Sequence, residues 1–158
     1  MEQKSLSQNQ VIFRQGDAAD CMYVVRGGCV GIFLDYGGSG ETKLTELCEG
    51  QYFGEMGLLD SAPRSATAVS LSDGTVLECI TDEDFQTFFE ENTNQIVNML
   101  QQMCSRLRRV TRNYDEACRT VHDVVEAEKT GAEKNEALKH RIAKTLAGYE
   151  NAASDGQK

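Results

Sequence analysis

The sequence predicts a mainly β domain, a sandwich or barrel of short strands, that gives way to one long amphipathic helix. Two distributions carry that expectation. Eleven of the 14 glycines fall before residue 80, and none occurs between Gly74 and Gly131. Short Val, Ile, Leu and Phe runs fill the first half, whereas from Ile96 onward apolar residues recur in alternating steps of four and three.

The strands come first. Val11–Phe13, Cys21–Val25, Val30–Leu34, Lys43–Cys48, Ala66–Leu71 and Thr75–Ile80 are short runs of β-favouring residues. Turn signals separate them: Gly16-Asp17, Gly27-Gly28, Gly37-Gly38-Ser39-Gly40, Gly50 and Asp73-Gly74. Thr81 or Asp82 can cap a short helix through about Glu91, with Asp82, Glu83 and Asp84 at its positive end. Asn92–Asn94 reads as a turn. A long helix should then run to about Lys129 with Ile96, Leu100, Met103, Leu107, Val110, Tyr114, Ala117, Val121 and Val124 as a coiled-coil seam. The stripe, roughly 43 Å long from Ile96 to Val124 at 1.5 Å per residue, cannot be buried whole on so small a domain. Part should pack on the strands and part on another helix. A parallel two-fold partner is the simplest source, and an intramolecular hairpin is the alternative. Gly131 interrupts the pattern, Glu133–Tyr149 is helix-prone but short, and Asn151–Lys158 should be disordered. The organisation expected is therefore a strand-rich domain over residues 1–94, the long helix over 95–130, and a short helix with a tail over 131–158.

Charge and cysteines narrow the function classes. The net charge of −9 is uneven. Residues 1–97 carry five basic and sixteen acidic side chains, a balance of −11, and the remainder carries +2. An acidic body argues against nonspecific nucleic-acid binding. The one basic cluster, Arg106, Arg108, Arg109 and Arg112, reads as a solvated helix face. The six cysteines are widely spaced without a CxxC pair, so they read as buried free thiols rather than a disulfide framework or a metal site. No run has transmembrane length and no signal-peptide pattern occurs, so a cytoplasmic chain without a membrane partner is expected.

The run Gly50–Ala68 carries the chemistry. It sets a glycine-lined turn, an acid and an arginine within a short span between apolar residues. Gly54 lets backbone come close to a ligand, and a helical turn over Met56–Leu59 would aim free N–H groups at an anion. Pro63, the only proline, stiffens the approach to Arg64, whose fork grips phosphate oxygens. Ser65 adds a hydroxyl beside it. A carboxylate repels phosphate, so Glu55 must serve something else, most simply a ribose hydroxyl. Phosphate plus ribose means a nucleotide.

The residues Phe53-Gly54-Glu55-Met56-Gly57-Leu58-Leu59 and Pro63-Arg64-Ser65-Ala66-Thr67 resemble the phosphate-binding cassette of the cyclic nucleotide-binding domain family. That family includes the bacterial catabolite activator proteins and the regulatory subunits of cAMP-dependent kinase. Val11–Asp17 and Met22–Val25 with Gly28 and Val30 extend the resemblance over roughly residues 6–112. It implies an eight-stranded β-roll, of the double-stranded β-helix or jelly-roll type, followed by helices. It also implies that Glu55 accepts a hydrogen bond from the ribose 2′-hydroxyl and Arg64 pairs with the cyclic phosphate. N–H groups around Gly54, Glu55 and Gly57–Leu58, with Ser65, would complete the cradle. Ser65 fits the bacterial cAMP-binding members, so cAMP is the ligand expected, with cGMP the alternative. The base would be covered by the long helix, with Arg108, Val110, Thr111 and Arg112 as candidates. Residues 125–158 show no winged helix-turn-helix pattern, so a DNA-binding output is not expected.

The function expected is a cyclic nucleotide sensor that dimerises through its long helix. A scaffold dimer that has lost its ligand is the competing reading. No enzyme is expected: His122 and His140 lie on helix-like segments far from any paired acid or nucleophile, and no metal-ligand cluster stands out. No catalytic residue and no metal are therefore assigned.

Overall fold

The computed structural model describes residues 2–91 and 93–129 together with residue 143. In chain order the elements are β1 (Glu2–Leu6), β2 (Val11–Phe13), β3 (Cys21–Gly27), β4 (Cys29–Leu34), β5 (Thr42–Cys48), β6 (Tyr52–Phe53), α1 (Glu55–Asp60), β7 (Thr67–Ser70), β8 (Thr75–Thr81), α2 (Asp82–Glu91) and α3 (Thr93–Lys129). The strands form two four-stranded antiparallel sheets, ordered β1-β8-β3-β6 and β2-β7-β4-β5. The mainly β class with a long C-terminal helix is the architecture the sequence predicts. Apart from Ala143, which is helical, the expected helix over Glu133–Tyr149 lies outside the described residues. So do Asn92, Gly131, His140 and the tail.

β3 explains why the core has two compartments. Its run Cys21-Met22-Tyr23-Val24-Val25 is buried at every position, as a strand covered on both faces must be. With a side-chain period of two, Cys21, Tyr23 and Val25 point between the sheets, where they meet Leu47, Phe53 and Leu77. Met22 and Val24 point the other way, toward Tyr52, Ile80, Phe88, Phe89 and Met99. The helices thus close the outer face of the β3 sheet. α2 starts where Thr81 Oγ1 accepts the Asp84 N–H (3.3 Å), the cap the sequence suggests.

Two strands are absent from the apolar pattern. β1 is polar and exposed over its first four residues. It is held by an unbroken antiparallel register from Glu2 opposite Cys79 to Leu6 opposite Thr75, so backbone pairing rather than side-chain burial makes it a strand. β6 has two residues, too few to show a period, and pairs with Tyr23 and Val24 of β3.

The cysteine expectation needs correction. Cys29 and Cys48 form a disulfide. They sit directly opposite each other across the β4–β5 ladder, a proximity set by register and invisible in sequence spacing. Cys104 and Cys118 are exposed on α3, while Cys21 and Cys79 are buried free thiols. Burial, with a hydrogen bond to Cys21 adding to it, pushes the Cys79 thiol up to about 12, which leaves it protonated and unreactive at neutral pH.

α3 also departs from a single seam. Met99 is buried and Met103 packs beside it against Tyr52 and Phe88. The Gln102 amide accepts from the Tyr52 N–H (3.1 Å) and donates to the Gly50 carbonyl (3.1 Å), and Tyr52 Oη donates to Gln95. Part of the expected stripe, Met103 and Ala117 in particular, therefore turns toward the β-roll, while Leu107, Tyr114 and Val121 stay 62–71% exposed. Among the described residues no helix is long and apolar enough to cross a membrane.

Candidate functional site

Gly54 opens the site. It is the N-cap of α1 with φ 75°, a left-handed conformation that favours glycine. A Cβ there would stand 2.6 Å from Arg64 Nη1. Three residues on, a Cβ at Gly57 would fall on the Cβ of Ala19 and 2.7 Å from the Ala62 carbonyl oxygen. Both glycines are thus required by close approach, and α1 is longer by a residue at each end than the turn expected over Met56–Leu59.

Arg64 is the floor. Its backbone is clamped to the Gly16–Asp17 turn: its N–H donates to the Asp17 carbonyl (2.9 Å) and its carbonyl accepts from the Gly16 N–H (2.9 Å). The guanidinium lies 4.3 Å over the Phe13 ring. Nη1 donates to the Gly54 carbonyl (2.8 Å) and Nη2 to the Cys21 carbonyl (2.7 Å). The side chain is 3% exposed, and the carboxylate paired with it among the described residues, Asp20 at 3.7 Å, is 90% exposed. Nε is fully buried without a hydrogen-bond partner. An always-charged group held in the interior by neutral carbonyls, with donors to spare, fits an anion.

Glu55 is buried at the start of α1. Its Oε1 accepts from Arg106 Nη1 (2.8 Å), and Arg106 Nη2 donates to the Tyr52 carbonyl. Arg106 is therefore not part of a solvated face; it crosses from α3 to the β-roll. Among the described residues no hydrogen bond reaches Glu55 Oε2, which leaves that oxygen for a donor.

A cavity of about 530 Å³ joins these groups. Of the expected site residues, Phe53, Gly54, Glu55, Met56, Gly57, Arg64, Ser65 and Ala66 line it. Three do not. Leu58 packs on the helical core, Pro63 borders a separate depression with Ala18 and Ala19, and Thr67 is buried with its Oγ1 accepting from the Gln15 N–H (3.0 Å). The opposite wall comes from Ile32, Leu44 and Leu47, and from Arg106, Arg109, Val110, Asn113, Tyr114 and Ala117 of α3. Of the four base-covering candidates only Val110 lines the cavity; Arg108, Thr111 and Arg112 do not. The signal that would have found the others is the spacing 106, 109/110, 113, 117, one face of a helix. Arg109 has no acid paired to it among the described residues. Burial lowers its pKa, and Arg106 and Arg112 lower it further, so an electron-rich ligand group would relieve it.

A family model described as the cyclic nucleotide-binding domain matches residues 3–92. The chain is 37% identical over 101 residues to a cyclic AMP receptor protein of Thermus thermophilus, covering 64% of this chain and 46% of that protein. It is 33% identical over 95 residues to a cAMP-dependent protein kinase regulatory subunit of Blastocladiella emersonii, covering 60% of this chain and 23% of the relative. The chain therefore spans less than half the length of either. The crystal structure of the Thermus thermophilus catabolite activator protein superposes with a TM-score of 0.64 at 26% identity, covering 98% of this chain and 78% of that one.

Proposed function

The chain belongs to the cyclic nucleotide-binding domain family, and from that premise we propose that it is a cyclic nucleotide sensor, with cAMP its first ligand. The observation that carries the reading is buried Arg64, which has an unpartnered Nε and lines a cavity of about 530 Å³, a size within the range of small-molecule sites, about 300–1,000 Å³. Arg64 pairs with the cyclic phosphate. Backbone N–H groups around Gly54, Glu55 and Gly57–Leu58, with the Ser65 N–H and hydroxyl, complete the cradle. Glu55 accepts the ribose 2′-hydroxyl on Oε2 while Arg106 holds Oε1. A ligand-free scaffold would have no use for a buried guanidinium with one nitrogen left unpartnered, a charge that is costly to bury unless an anion joins it.

Arg106 also supplies the output. It ties the ribose carboxylate to α3, so ligand contact with Glu55 bears on the position of the helix. A ligand shifts a conformational equilibrium only through such differential contacts. α3 is the dimer helix in this reading, and the exposed Leu107, Tyr114 and Val121 are its unburied surface. A second reading, cGMP as ligand, is favoured by Arg109: a guanidinium donates to both O6 and N7 of guanine, whereas adenine presents a donor at N6.

Calorimetry with cAMP and cGMP on the wild-type chain tests the proposal. Binding of cAMP tighter than about 100 μM, roughly 5.5 kcal/mol, is expected, and failure of both nucleotides to reach that affinity would overturn it. An Arg109→Ala variant that loses cGMP affinity selectively assigns Arg109 to the base. The ribose contact has its own test. The 2′-deoxy analogue should bind wild type at least about tenfold more weakly, since a hydrogen bond to a charged group contributes about 1.5–3 kcal/mol. In Glu55→Gln that penalty should shrink. An equal penalty in both proteins would remove Glu55 from the ribose.

A further inference from the structure

The exposed surface of α3 carries a second heptad pattern, offset from the one expected, and it contains both exposed cysteines. Val97, Cys104, Thr111, Cys118 and Val125 are each seven residues apart and all exposed. Leu100, Leu107, Tyr114 and Val121 fall three residues after the first four, and they are exposed as well. Together they make an unbroken 3–4 stripe from Val97 to Val125, the a and d positions of a coiled coil. None of its members is charged. Apart from Tyr114, which also borders the cavity, this stripe lies off the inward face, where Met99, Met103 and Arg106 meet the β-roll.

We propose that this outer stripe is the seam of a parallel homodimer in which Cys104 and Cys118 each face the same residue of the second copy, so that oxidation locks the dimer through two symmetric disulfides. The proposal rests on the dimer reading given above and adds its register and its regulation.

The occupant follows from the residues themselves. In parallel two-stranded coiled coils, β-branched residues are favoured at a and leucine at d. Here Val97, Thr111 and Val125 hold a positions, and Leu100 and Leu107 hold d positions. Parallel pairing also stacks like on like at every a layer, cysteine with cysteine and threonine with threonine; an antiparallel pair would set a against d and leave each cysteine facing an apolar side chain. Thr111 fits a buried layer because its hydroxyl already donates to the Leu107 carbonyl (3.0 Å), which leaves its methyl for the partner. Side chains such as Leu107, 67% exposed, and Tyr114, 71% exposed, form a continuous apolar surface of the kind that marks an interface.

The distances suit the bond. Helix axes in such packings lie about 8–10 Å apart, and Cα atoms ride on a radius of about 2.3 Å. Facing a positions therefore bring their Cα atoms as close as about 3.4–5.4 Å, a span that overlaps the disulfide range of about 4.4–6.8 Å. The chemistry needs a two-electron oxidant, and a peroxide suffices. One thiolate attacks a peroxide oxygen, giving a sulfenic acid and one water. The facing thiol then attacks that sulfur, forming the S–S bond and releasing the second water. Cys21 and Cys79 cannot compete, being buried.

The full chain is examined by sedimentation in reductant, then treated with hydrogen peroxide and run on a non-reducing gel, with the linked peptides mapped by mass spectrometry. The expected result is a dimer in reductant and, after peroxide, a predominant species of twice the chain mass. Its links should be Cys104 to Cys104 and Cys118 to Cys118, each single serine variant should keep one link, and Cys104→Ser/Cys118→Ser should abolish both. A dimer in reductant that forms no such link, or that links Cys104 to Cys118, overturns this seam and leaves the dimer reading standing. A monomer in reductant overturns both.

Discussion

Replacing Arg64 with alanine is expected to weaken cyclic nucleotide binding about 10- to 150-fold, the equivalent of one charge-assisted contact at about 1.5–3 kcal/mol. The loss should fall on affinity for cAMP and cGMP alike, because the group they share is the phosphate. The ligand-free protein should suffer too. Arg64 satisfies the carbonyls of Gly54 and Cys21, and a buried acceptor left without its donor costs about 1–3 kcal/mol. A fall of a few degrees in melting temperature follows for a domain of this size. Arg64→Lys separates the two roles. It keeps the charge but not the fork, so binding should be intermediate. Because Arg64 is buried, its contribution should also persist in moderate salt, which screens buried pairs far less than exposed ones. Wild-type affinity in Arg64→Ala would dissociate the phosphate from this residue.

Gly57→Ala should be the second most damaging single change, although alanine is the better helix former by about 1 kcal/mol. Propensity loses here to space. The new methyl would overlap the Cβ of Ala19 and approach the Ala62 carbonyl oxygen to 2.7 Å, and overpacking of this kind costs about 1–3 kcal/mol. Relief requires α1 to move, and α1 carries Glu55, so affinity should drop along with stability. Adding Ala19→Gly removes the closer of the two contacts and should restore part of both, leaving the Ala62 contact in place. Thermal melts and nucleotide titrations of the single and double variants check this. If Ala19→Gly brings no recovery, the Ala19 contact is not the cause.

Much of the site was legible because its chemistry is local. Gly54, Glu55, Arg64 and Ser65 lie within one short stretch of chain, and each residue type announces what it can do: tolerate a left-handed turn, accept from a hydroxyl, grip a phosphate, donate a hydroxyl. The other wall was not legible. Arg106, Arg109 and Asn113 reach the cavity from a helix some fifty residues downstream, and the arginine cluster looked like a solvated face. Nothing in local spacing says that Arg106 spans to Glu55. That contact depends on α3 packing Met99 and Met103 against β3 and β6. The cysteines teach the same point. Cys29 and Cys48 meet because β4 and β5 align in one particular antiparallel register, and β1 is a strand only because β8 offers it an edge.

By itself, then, the sequence determined the class of the fold, the order of most of its elements, and the short stretch that supplies one wall of the candidate site. These are written in hydrophobic period, turn chemistry and side-chain type, all of which act over a few residues. Tertiary structure decided which face of α3 turns inward and which remains outside, which arginine holds Glu55, and which cysteines pair. Those outcomes depend on distances between residues far apart in the chain. Period alone allows more than one seam along such a helix, and only the packing of Met99 and Met103 on the β-roll decides which apolar residues stay outside.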